Sequence, residues 1–245
     1  MFNIKQQFAF PSYIKEKYSR IDLNKLNNIL KPNAKPFQIK DRLKRRDETT
    51  DADFYSHPRF VHHIDDRARY ILHRFYKHII PQKESVRTLD LCSSWTSHLP
   101  EDFIGKVHGL GMNRPELSSN PSFNDGFTVH DLNADPKINF SNETFDAVIC
   151  SVSVDYLNRP KEVFQEISRI LKPGGLFVTS FSNRCFPTKV ISNWLSMSEQ
   201  ERVEWVANYF YNCDAFDANS IKAHSLLENQ EDNEYVDPMY VVYGK

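Results

Sequence analysis

The stretch from Phe145 to Phe181 constrains the fold of this chain more than any other part. Phe145 to Ser151 is an apolar run of strand length, Lys161 to Ile170 carries Val163, Phe164, Ile167 and Ile170 at helical spacing, and Leu171-Lys172-Pro173-Gly174-Gly175 leads into a second apolar run, Leu176 to Phe181. Short, unbroken apolar strands are those covered on both faces, and a strand, a helix and a strand in that order make the crossover of a parallel sheet. The segment therefore implies a layered α/β molecule. Gly174 and Gly175 after Pro173 read as a structural turn.

The same alternation runs upstream. Val86 to Cys92, Lys106 to Leu110 and Phe127 to His130 read as strands, with short helices near Trp95 and from Pro115 to Ser118. Downstream, a helix is expected over Glu199 to Phe210, and the strands Ile221 to Leu227 and Met239 to Tyr243, with no helix between them, pair as an antiparallel hairpin at the sheet edge. Ahead of the sheet, Phe60, Val61, Ile64, Ala68, Ile71, Leu72, Phe75 and Ile79 predict a lid helix over 58–80, ended by Pro81. Residues 53–245 are thus expected to form the main domain, and 1–52 an extension, partly helical or flexible. In it Asp22 caps a short helix with Leu23, Leu26 and Leu30 on one face, broken by Pro32 and Pro36. The basic run Lys40 to Arg46 and the acidic run Asp47 to Asp53 read as a solvated linker whose charges neutralise one another.

Composition narrows the partners. With 31 Lys and Arg against 32 Asp and Glu, the net charge of -1 gives no field that would gather the molecule onto nucleic acid. The apolar runs fall far short of the roughly 20 residues a membrane span needs. The four cysteines, Cys92, Cys150, Cys185 and Cys213, show no CxxC spacing, which points to a reducing, cytoplasmic setting without a disulfide or zinc framework. The first residues lack the apolar run of a secretory signal. Oligomeric state leaves no trace in the sequence.

In an open parallel sheet, ligands bind beyond the carboxyl ends of the strands. Those ends here are Asp90-Leu91-Cys92-Ser93-Ser94, Gly109-Leu110-Gly111-Met112-Asn113, His130-Asp131-Leu132-Asn133 and Cys150-Ser151-Val152-Ser153-Val154-Asp155-Tyr156. From about Phe54 onward the chain resembles a class I S-adenosylmethionine-dependent methyltransferase of the type 11 group. The resemblance rests on Thr88-Leu89-Asp90-Leu91, Val129-His130-Asp131-Leu132-Asn133, Phe145-Asp146-Ala147-Val148 and Arg169-Ile170-Leu171-Lys172-Pro173-Gly174-Gly175. It implies a doubly wound, mostly parallel, seven-stranded Rossmann-like sheet with S-adenosyl-L-methionine as cofactor. By that resemblance Asp90 orients the amino end of the cofactor, Asp131 accepts from the adenine amino group and Leu132 lies against the ring. Cys92, Ser93, Ser94, Gly111, Met112, Asn113 and Ser151 complete the cofactor candidates.

Two departures stand out. Similar proteins continue from the first acidic residue into a glycine-rich turn, for which this chain has Cys92, Ser93 and Ser94, where left-handed backbone is costlier. They also carry an acidic residue for the ribose at the position of Gly111, leaving Asn113 or a neighbour to bond the ribose. Ser93 and Ser94 read equally as caps of a following helix and as cofactor contacts, and Asp131 has a turn former as its alternative reading.

Methyl transfer from a sulfonium needs alignment first, and a base only where the acceptor must lose a proton. Asp155, Tyr156 and His63 are the candidates for that role, with His57 behind them, and Ser182, Asn183, Arg184, Phe186, Pro187, Thr188 and Trp194 would line the pocket of a small-molecule acceptor. His57, His62, His63, Asp65 and Asp66, spread around one helix, do not converge on a metal, and Arg59, Arg67 and Arg69 are expected to pair with the two aspartates on the solvent side. A nicotinamide enzyme would need a GxGxxG turn after the first strand. Nucleic-acid methylation is disfavoured by Ser151-Val152-Ser153-Val154 where an Asn-Pro-Pro-aromatic motif would stand. The competing reading is a non-catalytic binding or regulatory protein on the same fold, whose glycine-free turn no longer admits the cofactor.

Overall fold

Alternate residues of the central strands are buried on opposite faces, as the unbroken apolar runs require. The computed structural model describes residues 10–31, 36–40, 42–227, 230–231 and 234–245. In it β1 (Arg87–Leu91), β2 (Lys106–Gly111), β3 (Phe127–Val129), β4 (Phe145–Ser151) and β5 (Leu171–Phe181) run parallel. β6 (Lys222–Leu227) begins the edge hairpin, β7 (Gln230–Glu231) and β8 (Glu234–Tyr235) form a separate small pair, and β9 (Met239–Gly244) runs antiparallel to both β5 and β6. The order across the sheet is β3-β2-β1-β4-β5-β9-β6. The chain fills one side outward from β1 and then returns to lay β4 on its other side, so the topological switch point falls between β1 and β4.

The helices are α1 (Ser12–Tyr18), α2 (Asp51–Phe54), α3 (Asp66–Ile79), α4 (Arg114–Ser118), α5 (Pro160–Ile170) and α6 (Glu199–Asn212). Leu89, Leu91, Val148, Cys150 and Phe177 share one core with Phe164 and Ile167 of α5 and with Val203 and Phe210 of α6. Ala147, Ile149, Val178 and Val241 share the other with Ala68, Ile71, Leu72 and Phe75 of α3 and with Ile14 and Tyr18 of α1. Among the described residues no helix is long and apolar enough to cross a membrane.

Several expectations are corrected. The lid helix expected over 58–80 begins only at Asp66, because Asp65 caps it by accepting from Ala68 N at 2.8 Å, and residues 57–65 run ahead of it as irregular chain. No helix forms near Trp95: 92–105 is an irregular connection whose serines bond elsewhere, competing with helical bonding. The Pro-Gly-Gly turn is a bulge inside β5, where Leu171 pairs with Phe145 and Leu176 with Ala147, and Gly174 takes φ +74°. Asp22 caps a 3-10 turn, Leu23–Lys25, and Leu23 and Leu26 pack into one core while Leu30 packs into the other. The break expected at Pro32 lies outside the described residues.

The basic and acidic runs are no solvated linker. Ile39 and Leu43 are buried, and Arg45 Nη1 clasps both oxygens of Asp51 at 2.8 and 2.7 Å. Lys189, with a fully buried side chain, reaches Asp51 at 3.4 Å, Asp47 at 3.3 Å and Thr49 O at 2.6 Å. Burying ions in this way requires partners for each, and the cluster supplies them.

Candidate functional site

The ends of β1, β2, β3 and β4 open into one cavity of about 580 Å³. All ten cofactor candidates line it: Asp90, Cys92, Ser93 and Ser94 after β1, Gly111, Met112 and Asn113 after β2, Asp131 and Leu132 after β3, and Ser151 at the end of β4. Asp90 is buried, and Ser93 Oγ and Ser97 Oγ both donate to its Oδ2, the former at 2.7 Å. Burial pushes its carboxyl up to about 6, against the pull of those hydroxyls. Cys92, at the first glycine position of the turn, has φ 54°, and Val152, just past β4, has φ 51°. The turn thus keeps a left-handed residue without a glycine.

No helix follows Ser93 and Ser94, so they cap none. Instead Ser93 N donates to Leu110 O at 2.8 Å, which carries the chain along β2, and Asn120 Nδ2 holds Ser94 O at 2.9 Å. This leaves no room for a side chain at Gly111, where a Cβ would sit 2.1 Å from Ser93 O. Asn113 caps α4, accepting from Glu116 N at 3.0 Å, while its Nδ2 donates to Tyr55 O and Ser56 O. Both of its polar ends are committed to protein. Asp131 Oδ1 accepts from the N–H groups of Asn133 and Ala134, as a turn former does.

The segment 51–65 forms the facing wall. Asp51, Tyr55, Arg59, His62 and His63 line the cavity with His98 of the irregular connection. Burial lowers the three imidazoles, His62 to about 4 and His98 to about 3, so all are neutral near pH 7. His62 stacks on Trp95 at 4.7 Å, and His63 lies edge-on to Phe186 at 5.4 Å. Arg69 pairs with Asp66 at 2.7 Å but is buried, not on the solvent side. Among the described residues no arginine is paired with Asp65: it and Asp237 exchange bonds with each other's backbone N–H, at 2.8 and 3.0 Å. Arg59 donates to Phe54 O at 2.9 Å and lies over the Phe54 ring at 4.6 Å. Asn133 ties the wall to the strand ends, donating to Asp51 Oδ2 at 2.8 Å and Tyr156 O at 2.9 Å. Among the described residues no three His, Cys, Asp or Glu side chains are grouped to hold a metal ion.

Of the base candidates, Tyr156 and His63 line the cavity and Asp155 does not. Asp155 is 1% exposed, among the described residues neither carboxylate oxygen has a hydrogen-bond partner, and burial pushes it up to about 7. Tyr156 Oη accepts from Phe186 N at 2.7 Å. Asn183, Arg184, Phe186 and Pro187 line the cavity, whereas Ser182, Thr188 and Trp194 lie off it. The sequence reading missed Asp51, His98 and Glu116 as lining residues. Only Glu116 carried a local signal, the Asn-x-x-Glu spacing from Asn113.

The sheet order, the switch point and the cavity at the strand ends define a class I, Rossmann-like methyltransferase fold. Residues 93–179 match the type 11 methyltransferase domain family. Among solved structures, a chain of the complex between the Haloferax volcanii Trm112 methyltransferase activator and a methyltransferase is 17% identical, with a TM-score of 0.50 over 72% of this chain and 89% of that one. A SAM-dependent methyltransferase from Aquifex aeolicus is 15% identical, with a TM-score of 0.48 over 74% and 93%. A search of curated proteins finds no match in sequence.

Proposed function

We propose that the chain is an S-adenosylmethionine-dependent methyltransferase acting on a small-molecule acceptor. The observation that carries this reading is the left-handed backbone of Cys92, which preserves the turn that glycine makes in similar proteins and keeps the end of β1 open to the cavity. The residues fit the cofactor. The cavity lies within the roughly 300–1,000 Å³ usual for ligand pockets. Asp90 has both hydroxyl bonds on Oδ2, leaving Oδ1 for an ammonium, and Asp131 has both backbone bonds on Oδ1, leaving Oδ2 for an amino group.

When bound, S-adenosylmethionine supplies a methyl group on a sulfonium, ready for direct displacement. The chain contributes alignment and exclusion of water. His63, held neutral by burial, accepts a proton from an acceptor that must lose one. Tyr156, raised by burial and oriented by Phe186 N, keeps its own proton and donates a hydrogen bond. Asp155 is too far inside the protein for either role. Four free cysteines suit a reducing, cytoplasmic setting.

The non-catalytic reading is favoured by one observation: the connection 92–105 offers no helix N-terminus to a methionine carboxylate. One titration decides between the two. Calorimetry with S-adenosylhomocysteine is expected to show binding that weakens as pH falls through about 6, because Asp90 must be ionised to meet the ammonium. Asp90→Asn is expected to bind weakly and without that pH dependence. Folded wild-type protein giving no heat at millimolar ligand would establish the non-catalytic reading.

A further inference from the structure

Glu116 sits in the first turn of α4 without closing a capping box there. Asn113-Arg114-Pro115-Glu116 has the spacing of a capping box, in which the glutamate accepts from the cap residue's own N–H. Asn113 does its half of this. Glu116 turns away, and its Oε1 accepts from Arg59 N in the facing wall at 2.6 Å. In α6 the same box is closed from both sides by Ser198 and Glu201. Glu116 is 9% exposed and lines the cavity, and among the described residues its Oε2 has no hydrogen-bond partner. Burial raises its carboxyl above the usual range, the mark of a charge with too few partners.

Among the described residues, the neighbouring positions offer a ribose no other free acceptor. Similar proteins have their ribose carboxylate where this chain has Gly111, and Ser93 O stands where its Cβ would be. Asn113 is spent on Glu116 N and on the wall carbonyls. Glu116 is thus the one carboxylate among the cavity-lining residues of the stretch from Gly111 through α4, and its Oε2 is the oxygen left over.

We infer that Glu116 accepts the vicinal hydroxyls of the cofactor ribose, a carboxylate function moved from the end of β2 to the first turn of α4. This rests on the cofactor reading above. Because Oε1 is held by Arg59 N, the same side chain links the ribose position to the wall that carries His62 and His63.

The test is calorimetry with S-adenosylhomocysteine and its 2′,3′-dideoxy analogue. Wild-type protein is expected to bind the parent at least about tenfold tighter, the loss of a charge-assisted hydrogen bond. Glu116→Gln keeps an acceptor for Arg59 N, and is expected to bind the parent about tenfold more weakly and to discriminate by no more than about twofold. Glu116→Asp, which keeps the charge and shortens its reach, is expected to lose discrimination likewise. Wild-type discrimination in both variants overturns the role of Glu116 and leaves the cofactor reading standing. Absence of binding by wild-type protein overturns both.

Discussion

Cys92 and Val152 hold left-handed backbone at the ends of the two strands that flank the switch point. A non-glycine residue there costs roughly 1–2 kcal/mol, more where the side chain is β-branched, and such cost persists where surrounding contacts over-determine the geometry. Val152 N donates to Ser180 O at 2.7 Å and Ser93 N to Leu110 O at 2.8 Å, so each strained residue sits beside a fixed bond. Cys92→Gly is expected to raise stability to urea by about 1 kcal/mol and to keep affinity for S-adenosylhomocysteine. Cys92→Val is expected to lower stability. The missing glycines were legible in the sequence, but the survival of the turn was not, since it depends on how neighbouring strand ends hold it.

At the scale of elements, the two most diagnostic segments prove to be joined: Lys172 Nζ bonds both oxygens of Asp146, at 2.9 and 2.8 Å. Phe164 of α5 meets Phe177 and Phe210 edge-on, each at 4.9 Å, and Phe164→Ala is expected to cost about 3–5 kcal/mol in urea unfolding. β4, α5 and β5 were legible because burial on both faces leaves a local pattern. The start of α3 was not, because Phe60, Val61 and Ile64 continue the helical period through a stretch that is not helical. Val61 is 54% exposed, and its carbonyl accepts from Trp95 Nε1 at 3.1 Å. Apolar spacing along irregular chain can thus imitate a helical period even where, as at Val61, the residue does not pack.

For the whole molecule, the cluster of Arg45, Asp51 and Lys189 joins the amino-terminal segment to the loop after β5. Its partners lie up to 142 residues apart, so no window along the sequence could reveal it. Asp51→Asn leaves two buried cations short of a partner and is expected to lower stability by about 3–5 kcal/mol near neutral pH, measured by urea unfolding. A solvent-exposed cluster would change stability by less than about 1 kcal/mol.

The reciprocal bonds between Asp65 and Asp237 carry a consequence for synthesis. The cavity wall precedes two of its partners by a long stretch of chain: Asp51 waits for Lys189, and Asp65 for Asp237. A growing chain that has emerged through β5 holds all five parallel strands, yet the wall over their ends has neither anchor. Until Lys189 and Asp237 follow, the wall is held to the strand ends through Asn133 and Glu116, and the two later residues complete its hold.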